Sequence, residues 1–212
     1  MRFGIAGRAL AFWALTLTGY PALAAPSPTD SAARAAPNVR PPLVSADFKV
    51  PHSAEAEGFK LVPLGPSLVG MDFDAYMSSI EHLQKTFSRS PNWPHKGISS
   101  VDALRDMENE EARFKNRQSF AYAVLTPDGS RERGCVYIAP SAVNGYDAVV
   151  RMWVTKADYD AGFDAELYKW VTDWIQTAWP FKTVAYPGRA VDWETWDALV
   201  AANKAASKTE TP

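Results

Sequence analysis

Along this chain the apolar positions switch between two-residue alternation and the three- to four-residue recurrence of amphipathic helices, and each switch marks an element. Phe59–Leu64 (FKLVPL) alternates as a short strand, which Pro63 places at an edge or a strand end. Asp72 or Asp74 then caps a helix whose stripe is Phe73, Tyr76, Met77, Ile80, Leu83 and Phe87. After a loop from Ser88 to Gly97, a second helix starts near Ser99, with Asp102 completing an approximate capping box. Its stripe is Val101, Leu104, Met107, Glu111 and Phe114, so one position on the apolar face is a carboxylate. Phe120–Leu125 and Gly134–Ile138 flank Pro127-Asp128-Gly129 and read as an antiparallel hairpin. Asp147–Val154 is the next strand, with Val150, Met152 and Val154 on one face. A loop, Thr155–Phe163, leads to a helix from Asp164 to about Ala178, stopped by Pro180. Lys182–Tyr186 is a last strand, Pro187-Gly188 a turn, and Trp193–Ala202 a final amphipathic helix.

The order is therefore β-α-α-β-β-β-α-β-α. The late strand–helix–strand unit is a crossover, which makes Asp147–Val154 and Lys182–Tyr186 parallel in an otherwise antiparallel sheet. The expected class is α/β (α+β), with a mixed, mostly antiparallel sheet and helices on both faces.

The ends of the chain carry a different pattern. Arg2 and Arg8 precede an uncharged apolar run, Ala9–Tyr20, and Ala22-Leu23-Ala24 supplies a small-x-small cleavage site. Residues 1–24 read as a cleavable secretory signal, too short for the roughly 20 apolar residues that span a bilayer. No stable membrane anchor is expected after cleavage, and the mature chain is expected to be exported, to the periplasm or beyond. Residues 25–46, rich in Pro, Ala and Ser, read as a disordered linker. That leaves one domain over about 47–200 and a flexible tail over 201–212.

Charge excludes one class of partner. Without Arg2 and Arg8 the 22 basic residues fall to 20 against 24 acidic, so net charge moves from −2 to −4, and no nucleic-acid footprint is expected. Cys135, the single cysteine, lies in a strand and reads as buried and inert. His52, His82 and His95 have no ligand spacing, so no metal site is expected. No P-loop, dinucleotide fingerprint or nucleophile elbow is present.

The element order, together with Ser119-Phe-Ala-Tyr-Ala-Val124, Arg133-Gly-Cys-Val-Tyr-Ile138, Met152-Trp-Val154 and Trp179-Pro-Phe181, resembles the GNAT N-acetyltransferase superfamily over roughly Phe59–Trp196. The resemblance implies acetyl-CoA as co-substrate, transferring its acyl group to a small-molecule or peptide amine. The pantetheine arm would pair with Val150–Val154 in a cleft between the two parallel strands. The diphosphate would sit on backbone N–H groups of the following loop and helix start. In those terms Trp153, Val154, Thr155, Lys156 and Gly162 are the cofactor-binding candidates. Tyr186 is the candidate general acid, and Glu111 the candidate base or else the partner of a buried arginine such as Arg151.

The sequence departs from the family where the diphosphate is held. The expected Q/R-x-x-G-x-G/A loop is replaced by Thr155–Phe163 with only Gly162, and Asp158, Asp160 and Asp164 stand around it. Two readings follow: an acyl-CoA-dependent N-acyltransferase, or an exported non-catalytic GNAT-like domain that binds a ligand or partner.

Overall fold

The computed structural model describes residues 41–209, organised on one six-stranded sheet in the order β1-β2-β3-β4-β5-β6. The strands are β1 (Ala54–Ala56), β2 (Phe59–Pro63), β3 (Phe120–Leu125), β4 (Glu132–Ala139), β5 (Ala148–Val154) and β6 (Val184–Ala185). All neighbours are antiparallel except β5 and β6, which are parallel as the crossover requires. The Ala-Glu-Ala of β1 carries no apolar alternation, so the sequence did not announce it. Its pairing makes β2 an interior strand, with Pro63 at the strand end, where a missing N–H costs least.

The period-two pattern sends alternate residues of β3 to opposite faces. Phe120, Tyr122 and Val124 join Val150, Met152 and Val154 in the larger core, covered by Phe163, Leu167, Val171, Trp174 and Ile175 of helix α5 (Phe163–Ala178). Ala121, Ala123 and Leu125 face the other way. There the small alanines accommodate Ala75 and Tyr76 of α1 (Val69–Met77), Leu83 of α2 (Ile80–Leu83) and Met107 of α3 (Ser100–Lys115). Helices thus cover both faces. α4 (Lys156–Asp160) is a single turn between β5 and α5, and α6 (Trp193–Thr209) packs Trp196 against Ala185 and Val143.

Several expectations are corrected. The helix expected through Phe87 is broken at Ser78–Ser79, and residues Gln84–Ser88 continue as a wide π turn. Asp72 does not cap it: the helix starts three residues earlier and Asp72 is buried inside it. The capping box of α3 forms between Ser99 and Asp102, yet its buried face is Ala103, Met107 and Phe114. Val101 is 70% exposed and Leu104 40%, because the contact surface lies one residue round the helix, where small Ala103 fits. The expected linker ends early: Val44 is in the core, and the Leu43 N–H bonds to the Arg117 carbonyl at 2.7 Å. In the expected tail, α6 stays helical to Thr209. The signal segment 1–24, the linker through residue 40, and residues 210–212 lie outside the described residues. Among the described residues no helix is long and apolar enough to cross a membrane.

Candidate functional site

β5 and β6 pair over only two positions, Ala148 with Val184 and Val149 with Ala185, and then part. The parting follows from sequence: Pro187 cannot donate to a ladder, and Gly188 at φ +76° turns the chain away. The cleft so opened measures about 230 Å³ and is bordered by Val150–Val154, Tyr186–Arg189, His82, Tyr159, Asp164 and Trp193. A Cβ on Gly188 would lie 2.4 Å from the Trp193 indole nitrogen, so glycine is also what lets that wall close.

Asp164 and Arg189 form a two-point ion pair in this cleft. Both guanidinium Nη atoms donate to the carboxylate, Nη2 to Oδ1 at 2.6 Å, and the side chains are 14% and 26% exposed. Asp164 stands in the first turn of α5, where a helix favours negative charge. The chain therefore supplies its own anion at that helix start.

The loop before α5 is equally committed. Thr155 caps α4 by accepting from the Asp158 N–H, and the Lys156 N–H donates to Ser79 Oγ at 2.8 Å. The Lys156 ammonium pairs with Asp160. Asp158 is buried: it accepts from Arg131 at 2.6 Å, Arg133 at 2.8 Å and the Thr155 hydroxyl at 2.6 Å. Burial alone would raise its pKa, but the hydrogen bonds from Arg131, Thr155 and Arg133 prevail and bring it down to about 2. The two arginines come from the β3–β4 hairpin, so this network ties the loop after β5 to the neighbouring strand β4 and the turn before it.

Solved structures share this architecture. The ribosomal-protein-S5-alanine acetyltransferase of Vibrio fischeri superposes with a TM-score of 0.53 at 15% identity, over 71% of this chain and 81% of that one. The fold is that of the GNAT acetyltransferases. A Bordetella pertussis protein assigned to that family gives 0.46 at 13% identity, over 60% and 74%, and an acetyltransferase of Thermus thermophilus 0.42 at 11%, over 55% and 68%. No protein-family model and no curated protein matches the sequence.

Set on the GNAT fold, the expected site residues divide. Tyr186 borders the cleft, edge-on to Tyr168 at 5.7 Å, and burial pushes its hydroxyl up to about 12, so it stays protonated. Trp153 and Val154 also border it, but both side chains belong to the core, and Trp153 Nε1 donates to the Tyr137 hydroxyl at 3.3 Å. Thr155 and Lys156 are spent on α4. Gly162, at φ +85°, is the hinge between α4 and α5. Glu111 is corrected: it is partly exposed, lines neither of the cavities described here, and pairs with Lys115 at 2.8 Å, leaving Arg151 without it. Acetyl-CoA is thus offered a cleft, but at the diphosphate position the residues fit poorly. Asp164 borders it, and the cations on either side, Lys156 and Arg189, are already paired with Asp160 and Asp164.

Sequence reasoning missed two features. His82 borders the cleft with its ring 4.7 Å from that of Tyr159; burial, and then Lys156, lower its pKa and keep it neutral. A second cavity of about 380 Å³ opens between α1, α3 and the sheet, walled by Tyr76, Phe87, Trp93, Met107 and Tyr137. Beneath it, the carboxyls of Asp72 and Glu132 and the Cys135 thiol bring one ligand atom each within 4.8 Å of the others, the single such trio among the described residues. The thiol donates to Glu132 at 3.1 Å and to Asp72 at 3.4 Å. Burial raises Asp72 to about 6 and raises Glu132 as well, so these carboxyls favour holding protons. The residues lie on α1 and β4, far apart in sequence, and only the pairing of those elements reveals them.

Proposed function

We propose that this chain is a ligand-binding protein on the acyltransferase scaffold, exported from the cytoplasm, in which the diphosphate site has been closed from within. The observation that carries this reading is the Asp164–Arg189 pair: a carboxylate already occupies the helix start where an acyl-CoA diphosphate would sit. Like charges a few ångströms apart cost on the order of 1 kcal/mol or more per pair, and Asp164 borders the cleft where the diphosphate would lie. The apparent export signal agrees, since CoA thioesters are polyanions that do not cross membranes unaided. The mature chain then begins at Ala25, which N-terminal sequencing of the exported protein checks.

One observation favours the second reading, acyl transfer from acyl-CoA to an amine. β5 and β6 do part, and a protonated Tyr186 stands in the gap, where it would serve as the acid for a departing thiolate. Thermal-shift titration with acetyl-CoA and CoA separates the two. A micromolar ligand at millimolar concentration stabilises its protein by about 4 kcal/mol, several degrees in melting temperature. The reading of a closed diphosphate site predicts no shift; a shift of that size overturns it and favours the acyltransferase.

A further inference from the structure

Arg151 on β5 stands where the two cavities meet, and it and Phe87 are the residues common to both linings. Its guanidinium lies 4.4 Å from the Phe87 ring centroid and 5.3 Å from that of Trp193. One nitrogen, Nη2, donates to the Phe87 carbonyl; Nε is buried with no acceptor. Among the described residues no carboxylate pairs with it: Glu111 is held by Lys115, Asp197 by Arg89 and Asp164 by Arg189. A largely buried charge is ordinarily paired, because desolvation without a partner is costly. Close to two rings, this cation holds a fixed fork of donors of which Nε has no acceptor among the described residues.

We propose that Arg151 is the receptor for the carboxylate of a small ligand whose apolar body fills the aromatic-walled cavity. This names the ligand class for the binding reading above and rests on it. The walls favour an aromatic or branched apolar body: Tyr76, Phe87, Trp93, Met107 and Tyr137 offer rings and a thioether in about 380 Å³. The other charged groups of the lining select a monoanion over a phosphate. Glu110 is matched by Arg113, but Asp106 lines the cavity with no cation paired to it among the described residues, and a second negative charge on the ligand meets it.

Calorimetric titration of the whole chain with phenylacetate, its uncharged isostere phenylacetamide, and phenyl phosphate tests this. Phenylacetate binds saturably, the amide at least about tenfold more weakly, and phenyl phosphate more weakly than phenylacetate. Arg151→Gln keeps its melting temperature, having lost an uncompensated charge, and binds phenylacetate no better than the amide. The proposal is overturned if the amide binds as well as the carboxylate in the native chain, if phenyl phosphate binds tightest, if phenylacetate fails to saturate by about 10 mM, or if Arg151→Gln retains the preference. The comparison of acid with amide needs no variant and stands even if Arg151→Gln unfolds. Micromolar CoA binding would overturn the closed-cleft reading alone, since none of these probes carries a diphosphate.

Discussion

Asp164, in the first turn of α5, and Arg189, beyond β6, meet through both guanidinium nitrogens inside the cleft that the parting of β5 and β6 creates. The pair joins the helix after β5 to the chain after β6 and so braces the cleft. Asp164→Ala leaves Arg189 half-buried and unmatched and lowers stability by about 2 kcal/mol. Adding Arg189→Met recovers most of that loss, because an apolar replacement leaves no orphaned charge. Urea unfolding of the two single variants and the double variant reads the coupling.

The Asp158 network makes stability fall in acid. A carboxylate held down at about 2 in the folded state contributes fully above the ordinary carboxylate range and loses its contribution as pH falls towards 2. Asp158→Asn is expected to cost about 3 kcal/mol near pH 7, with the gap to the native chain narrowing as pH approaches 2. Denaturant midpoints across that range check it.

Asp72 has the opposite sign. Burial lifts its carboxyl to about 6, so the folded chain binds a proton that the unfolded chain releases, and the contribution is lost as pH rises through 6. Asp72→Asn, which keeps an oxygen for the Cys135 thiol, is expected to match the native chain near pH 4 and to exceed it by on the order of 2 kcal/mol near pH 7.5. Equal pH profiles for the two proteins would contradict it.

Gly188 is where backbone and cleft wall conflict with any side chain. Gly188→Ala sets a Cβ against the Trp193 indole in a left-handed turn, and a loss of about 2 kcal/mol is expected. Displacement of Trp193 would show in near-ultraviolet circular dichroism, whereas an unchanged spectrum and stability would rule out this close approach.

The strands and long helices were legible in the sequence because their periods are clean. The alternation of Phe120–Leu125, the stripe of Leu167, Val171 and Trp174, and the Ser99–Asp102 box each appear in the structure. Exposure along α3 was misread because hydrophobicity ranks Val101 and Leu104 above Ala103, whereas the close packing there favours the smaller residue. The absence of the glycine pair in the diphosphate loop was also legible. What replaces it was not: the partners of Asp158 and Asp164, Arg131, Arg133 and Arg189, come from other elements, and no local spacing announces them. Arg151 shows the same limit from the other side. A sequence invites a carboxylate for it, and only the arrangement in space shows that none among the described residues pairs with it.

The central claim is that Asp164 has taken the place of the acyl-CoA diphosphate. Isothermal calorimetry of the native chain with CoA tests it most directly: the account predicts no saturable heat up to about 1 mM, and saturable binding in the micromolar range would contradict it.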